Sequence, residues 1–125
     1  MKLLTKEIRK SLPVLGTHES KEAKDVPIVV KFFTPTSNWT WYATEASCIL
    51  KDGTSIGLTF IDETPNAWDE IEDVIFFGLV RGFEAELGNF SYNELKSVKG
   101  PFGLGVERDM YFGKHTLAEA QERQL

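Results

Sequence analysis

Residues 28–45 constrain the fold more tightly than any other stretch, because two runs of alternating residues flank one short polar connection. Ile28, Val30 and Phe32 alternate with Val29, Lys31 and Phe33. Beyond the connection, Trp39, Trp41 and Ala43 alternate with Thr40, Tyr42 and Thr44. A period of two belongs to pleated strands, whose successive side chains point to opposite faces. In the connection, Thr34-Pro35-Thr36-Ser37-Asn38, the Pro35 ring fixes its own φ and steers Thr34 away from helical geometry, and the remaining residues favour turns. The stretch predicts an antiparallel hairpin with Trp39 and Trp41 on one face and Tyr42 on the other. Its two faces must therefore meet different surroundings.

The rest of the chain is read in order. Leu4, Ile8 and Leu12 repeat at helical spacing, Thr5 can cap the helix and Pro13 stops it. Residues 16–25 hold five charged side chains and read as a solvated loop with His18 exposed. After the hairpin, residues 46–50 continue the strand, Asp52-Gly53 signals a tight turn, and residues 55–61 return as its partner. Residues 62–73 are acidic, include Pro65 and Asn66, and place Trp68 and Ile71 at helical spacing, as in a loop with one helical turn. Val74-Ile75-Phe76-Phe77-Gly78-Leu79-Val80 is apolar on both alternating faces, which predicts the most buried, central strand.

A turn and a further strand are expected over residues 82–90. Ser91-Tyr92-Asn93-Glu94 matches a capping box that opens a short helix ending near Gly100-Pro101. Residues 106–112 suggest a last strand, with a helical turn over Glu107 to Met110 as the alternative. Thr116-Leu117-Ala118-Glu119 is a second capping box, opening an exposed helix or frayed tail over residues 116–124. The expected fold class is α+β: an antiparallel, twisted sheet of about five strands with short helices on one face and at the ends. With 125 residues, the chain (1–125) is read as a single domain, long enough to bury roughly two-thirds of its unfolded surface.

Charge narrows the partners. Asp and Glu outnumber Lys and Arg by 19 to 14, and the net charge of -5 disfavours duplex DNA and anionic membrane as ligands. Cys48 is the lone cysteine, so an internal disulfide and a cysteine zinc site are both excluded, in keeping with a reducing compartment. The Met1 end has no apolar run of signal-peptide length, and no span of about 18 apolar residues occurs anywhere. A cytoplasmic protein without a membrane partner is expected. Asn38-Trp39-Thr40 matches a glycosylation sequon, which without a secretory signal is a chance match.

Among chemical motifs, Gly53-Thr54-Ser55-Ile56-Gly57 fits the G-x-S-x-G pattern of hydrolases. A nucleophile elbow needs a strand before it and a helix after it, whereas here a turn precedes and a β-rich run follows. The glycines at 100, 103 and 105 lack the spacing and preceding βα unit of a phosphate cradle. Glu84 and Glu86 would share one face of a strand, and Glu45 or Glu107 could join them as a carboxylate cluster for acid-base or hard-metal chemistry. A solvated strand face is the simpler reading of these acids. Arg108 can pair bidentately with a carboxylate. With only two histidines, a histidine-rich metal site is not expected. Trp39 and Trp41, with Tyr42 on the reverse, offer a platform for stacking, to which Lys31 and Arg81 would add charge.

The ordered series Val30-Lys31-Phe32-Phe33-Thr34-Pro35, Asn38-Trp39-Thr40-Trp41-Tyr42-Ala43-Thr44-Glu45, Phe76-Phe77-Gly78-Leu79-Val80, Gly82-Phe83-Glu84 with Glu86-Leu87-Gly88, Phe90-Ser91 with Glu94-Leu95, Gly100-Pro101 with Gly103-Leu104, and Glu107-Arg108-Asp109 resembles the bacterial domain-of-unknown-function family twenty-nine fifty-eight. The resemblance spans nearly the whole chain and departs mainly over residues 46–73, where this chain is longer. It implies a setting on plasmids, integrated elements and phages, beside transfer and DNA-processing genes, and carries no catalytic residues over.

Together these readings favour a small non-enzymatic accessory or interaction protein. It would bind a protein, or alternatively a single-stranded nucleic acid, through Lys31, Trp39, Trp41, Tyr42, Arg81, Glu84, Glu86, Glu107 and Arg108, with no cofactor and no metal. The alternative is a small hydrolase-like enzyme using Glu84, Glu86 and Glu107 with Arg108 or Arg81.

Overall fold

The computed structural model describes residues 3–125. In chain order it holds helix α1 (Lys6–Ser11), strands β1 (Val30–Phe33), β2 (Thr40–Leu50), β3 (Ser55–Gly57), β4 (Ile71–Arg81) and β5 (Ala85–Ser91), helix α2 (Tyr92–Ser97), strand β6 (Glu107–Arg108) and helix α3 (Leu117–Glu122). The strands form one antiparallel sheet in the order β5-β4-β2-β1-β6, and β3 pairs with the far half of β2. An antiparallel sheet with a few short helices is thus both expected and observed.

The hairpin pairs Phe32 with Trp41 and Lys31 with Tyr42. Most of β2 is buried, on both faces, so β2 and not β4 is the most buried strand. β2 keeps both faces covered because its pairing shifts by one residue at Thr44, between Ala43 and Glu45. A bulge of this kind turns the alternation over and sharpens the local twist. Ala43 and Ala46 therefore both belong to the larger core, with Phe32, Trp41, Phe76 and Phe90.

Leu4 and Leu12, flanking α1, and Tyr92 and Leu95 of α2 pack on that same face. Thr5 caps α1 by accepting from the Ile8 N–H, and Ser91 caps α2 by accepting from the Glu94 N–H. Arg9 fastens α1 down. Its guanidinium donates to both carboxylate oxygens of Asp62 at 3.1 Å and lies 4.7 Å over the Trp68 ring. The strand expected over residues 55–61 stops at Gly57, and Leu58–Glu63 forms 3-10 turns instead. The reason is visible in the burial: Leu58 and Ile61, three apart, both enter the core, which a strand would not allow.

The reverse face holds Tyr42, Leu79, Val26 and Ile28, closed by Leu117 and Ala120 of α3. This last helix is therefore a lid on the sheet and not an exposed tail. The loop over residues 16–25 joins the same face through Ala23, and His18 is half-buried there, its N–H 3.5 Å from the carboxylate of buried Glu45. The last strand is reduced to two residues because only Glu107 and Arg108 find partners on β1.

α3 is opened by a complete capping box between Thr116 and Glu119. Hydrogen bonding to His115, then to the Thr116 N–H, holds the Glu119 carboxyl below its ordinary value of 4.5. A lowered folded-state value stabilises the helix above that pH, and the benefit is lost as pH falls through the lowered value. Acid titration followed by amide exchange should loosen α3 before the sheet, and Glu119→Gln should remove that early step; simultaneous opening of both would count against it.

Candidate functional site

Trp41 is 8% exposed and sits in the core, opposite Phe32 and Val80. Trp39 lies just before β2, is 37% exposed, and stacks on Trp41 with ring centroids 6.0 Å apart. Phe83, at the tip of the β4–β5 turn, is 96% exposed and meets Trp39 edge-on at 5.8 Å. Gly82 makes room for this corner, since a Cβ there would run into the Trp39 ring. The result is a graded stack from core to solvent: Trp41, Trp39, Phe83.

The sequence gives Trp39 and Trp41 a shared face and Tyr42 the opposite one, and the sheet keeps that arrangement. Phe83 was not among the candidate residues, although an aromatic at a turn tip between Gly82 and Glu84 has no partner on its own strand.

The basic candidates are placed elsewhere. Lys31 is on the reverse face, where its Nζ donates to the main-chain oxygen of Leu125 at 2.6 Å and pairs with Asp109 at 3.4 Å. Arg81 donates to the main-chain oxygens of Ala120 and Gln121, satisfying carbonyls that the end of α3 leaves open. Tyr42 is fully buried, and its hydroxyl takes hydrogen bonds from Gln124 and from the Leu125 N–H. These three residues hold the last ten residues of the chain against the sheet and stand away from the tryptophan stack.

The acids do not gather. Glu84 is in the turn and Glu86 on edge strand β5, both exposed, while Glu107 is on β6 at the opposite edge, with β4, β2 and β1 between them. Glu45 is buried beneath the covering loop. Among the described residues, no group of three or more His, Cys, Asp or Glu side chains is placed to hold a metal ion. Cys48 is buried in the core, and burial pushes its thiol up to about 11, which leaves it unreactive at neutral pH.

Arg108 has a different situation. It is half-buried, and among the described residues its buried Nε has no hydrogen-bond partner and its side chain forms no ion pair. It lines a groove of about 830 Å³ between α2 and residues 103–111. Close by, Phe102 is held at a left-handed φ of 63° while 97% exposed. Such a backbone is costly for a bulky side chain that buries nothing. Leu104, Met110 and Tyr111 on the same segment are exposed as well.

No helix of the described residues is long and apolar enough to cross a membrane. No curated protein and no solved structure matches the chain. A family model does match, in two stretches, residues 3–66 and 60–122, which overlap at residues 60–66 and together span nearly all of the chain. Those stretches take in the hairpin, the central strands, the Gly82-Phe83 turn and the groove segment, and the chain belongs to the family described as protein of unknown function (DUF2958).

Proposed function

We propose that the protein is a small non-enzymatic accessory of a bacterial mobile element, working in the cytoplasm by engaging a protein partner through the Trp39–Phe83 corner. One observation carries this reading: Phe83 is almost wholly exposed, yet rests edge-on upon a half-covered tryptophan that is itself stacked on the core. Aromatic anchors on a rigid base are what protein interfaces use most, because they bring large contact area at little cost in side-chain freedom. The mobile-element setting rests on the motif resemblance.

Single-stranded nucleic acid is the weaker candidate. Stacking alone needs a basic track for the phosphates, and Lys31 and Arg81 are both spent on holding the end of the chain. The enzymatic alternative needs its acids in one pocket, and they are dispersed across the sheet.

The test is capture of partners from host cells by the immobilised chain, compared with Trp39→Ala and Phe83→Ala variants checked for native stability. Bound proteins should disappear with either substitution. An unchanged set of captured proteins would refute the corner as the binding surface. Titration with single-stranded oligonucleotides at low salt should show no saturable binding; tight binding abolished by Trp39→Ala would instead favour nucleic acid.

A further inference from the structure

We propose that the groove beside β6 binds an extended peptide segment of a partner protein, one carrying a carboxylate side chain between apolar neighbours. Neither Trp39 nor Phe83 lines this groove, so it is a second site with its own requirements. Two features of Arg108, one of its backbone and one of its side chain, converge on this occupant.

The backbone feature is an open edge. The Asp109 N–H donates to the Lys31 carbonyl at 3.0 Å, and Arg108 stands opposite Phe32. Hydrogen-bonded and non-bonded pairs alternate along an antiparallel ladder, so the main-chain N–H and C=O of Arg108 point away from β1. Because β6 ends the sheet on that side, no strand lies beyond those groups among the described residues. An extended peptide satisfies them by adding as a further strand, with alternate side chains directed into the groove.

The side-chain feature is an unanswered cation. Arg108 shares the face of Phe32, and its buried Nε has no partner among the described residues. A guanidinium taken partly out of water without an anion is unfavourable, and its planar fork matches a carboxylate with two parallel hydrogen bonds. Neighbouring acids do not serve it. Asp109 and Glu107 also border the groove, but Asp109 is paired with Lys31, and among the described residues Glu107 forms no ion pair with Arg108. Lys96 of α2 adds a second positive charge without an ion pair among the described residues, its Nζ 5.1 Å over the Tyr92 ring. Leu3, Leu95, Leu104 and Val106 complete an apolar wall. At about 830 Å³ the groove lies within the range of about 300–1,000 Å³ usual for ligand clefts.

The experiment is a random-peptide display selection on the full chain, followed by titration of synthetic copies of the selected peptides. Selected peptides should carry Asp or Glu flanked by apolar residues, and changing that acid to its amide should weaken binding tenfold or more. Methylating alternate peptide nitrogens should weaken it in one register only, as strand addition requires. Arg108→Met should cause a similar loss while leaving the melting temperature of the free protein unchanged or raised, because no unpaired guanidinium then has to be held. Phe83→Ala should leave peptide affinity unchanged, which separates this site from the aromatic corner. The proposal is overturned if no peptide is selected, if the selected peptides lack acids, if Arg108→Met binds them normally, or if Phe83→Ala abolishes binding. Occupation of the groove by oligothymidylate or by a second copy of the chain, detected as Arg108-dependent competition or dimerisation, would also overturn it.

Discussion

Gly78→Ala is expected to cost about 3 kcal/mol or more, a large fraction of the about 5–15 kcal/mol by which a domain is stable. Gly78 lies in β4 between Ala43 of β2 and Gly88 of β5. The β2 bulge swings the Tyr42 carbonyl over this position, and a Cβ there would run into the carbonyl oxygen. The obstacle is main chain in the middle of the sheet, so no side-chain rotation relieves it, and two paired strands would have to part. Gly88→Ala is the matched control, because open space surrounds its Cβ position. Urea denaturation of both variants checks the expectation. A Gly78→Ala protein as stable as Gly88→Ala would mean that the strands yield, and the bulge would lose its importance.

The second large effect separates the two tryptophans. Trp41→Ala should destabilise the fold by about 3–5 kcal/mol, since it empties a buried site next to Phe32 and Val80. Trp39→Ala should cost about 1 kcal/mol, chiefly the loss of one stacked and one edge-on ring contact. Denaturant midpoints decide, and equal costs would show that Trp39 is as much a core residue as Trp41. In that case the exposed Phe83 would have no platform beneath it.

The hairpin, the caps at Thr5, Ser91 and Thr116, and the long apolar strand were legible because each depends on residues close together in sequence. A period of two identifies a strand wherever it sits. What sequence could not supply was the identity of neighbours far along the chain. Lys31 and Arg81 look like free surface charges until α3 and residues 124–125 are folded back upon them. The acids at 84 and 86 look adjacent to Glu107 only while the strand order is unknown, for β5 and β6 prove to be the two edges. The third strand failed for another reason. Ile56, Leu58 and Phe60 alternate as a strand would, but Leu58 and Ile61 could be buried together only by a helical turn. The groove was missed because its lining residues come from α2 and a segment with little regular structure, where periodicity carries no information.

The segment over residues 116–125 has a part in the order of assembly. Lys31 and Tyr42 meet Leu125 across 94 and 83 positions of sequence, whereas the β1–β2 hairpin that carries them closes through a turn of a few residues. Local contacts form early, and contacts between distant residues must wait for a large loop to close. On a ribosome the hairpin can be in place while residues 116–125 are still being made, which leaves Tyr42, Leu79 and Ile28 uncovered. For that interval the nascent protein displays an apolar sheet face of the kind holding chaperones recognise and aggregation exploits. Docking of residues 116–125, rather than formation of the central strands, is then the event that covers this face.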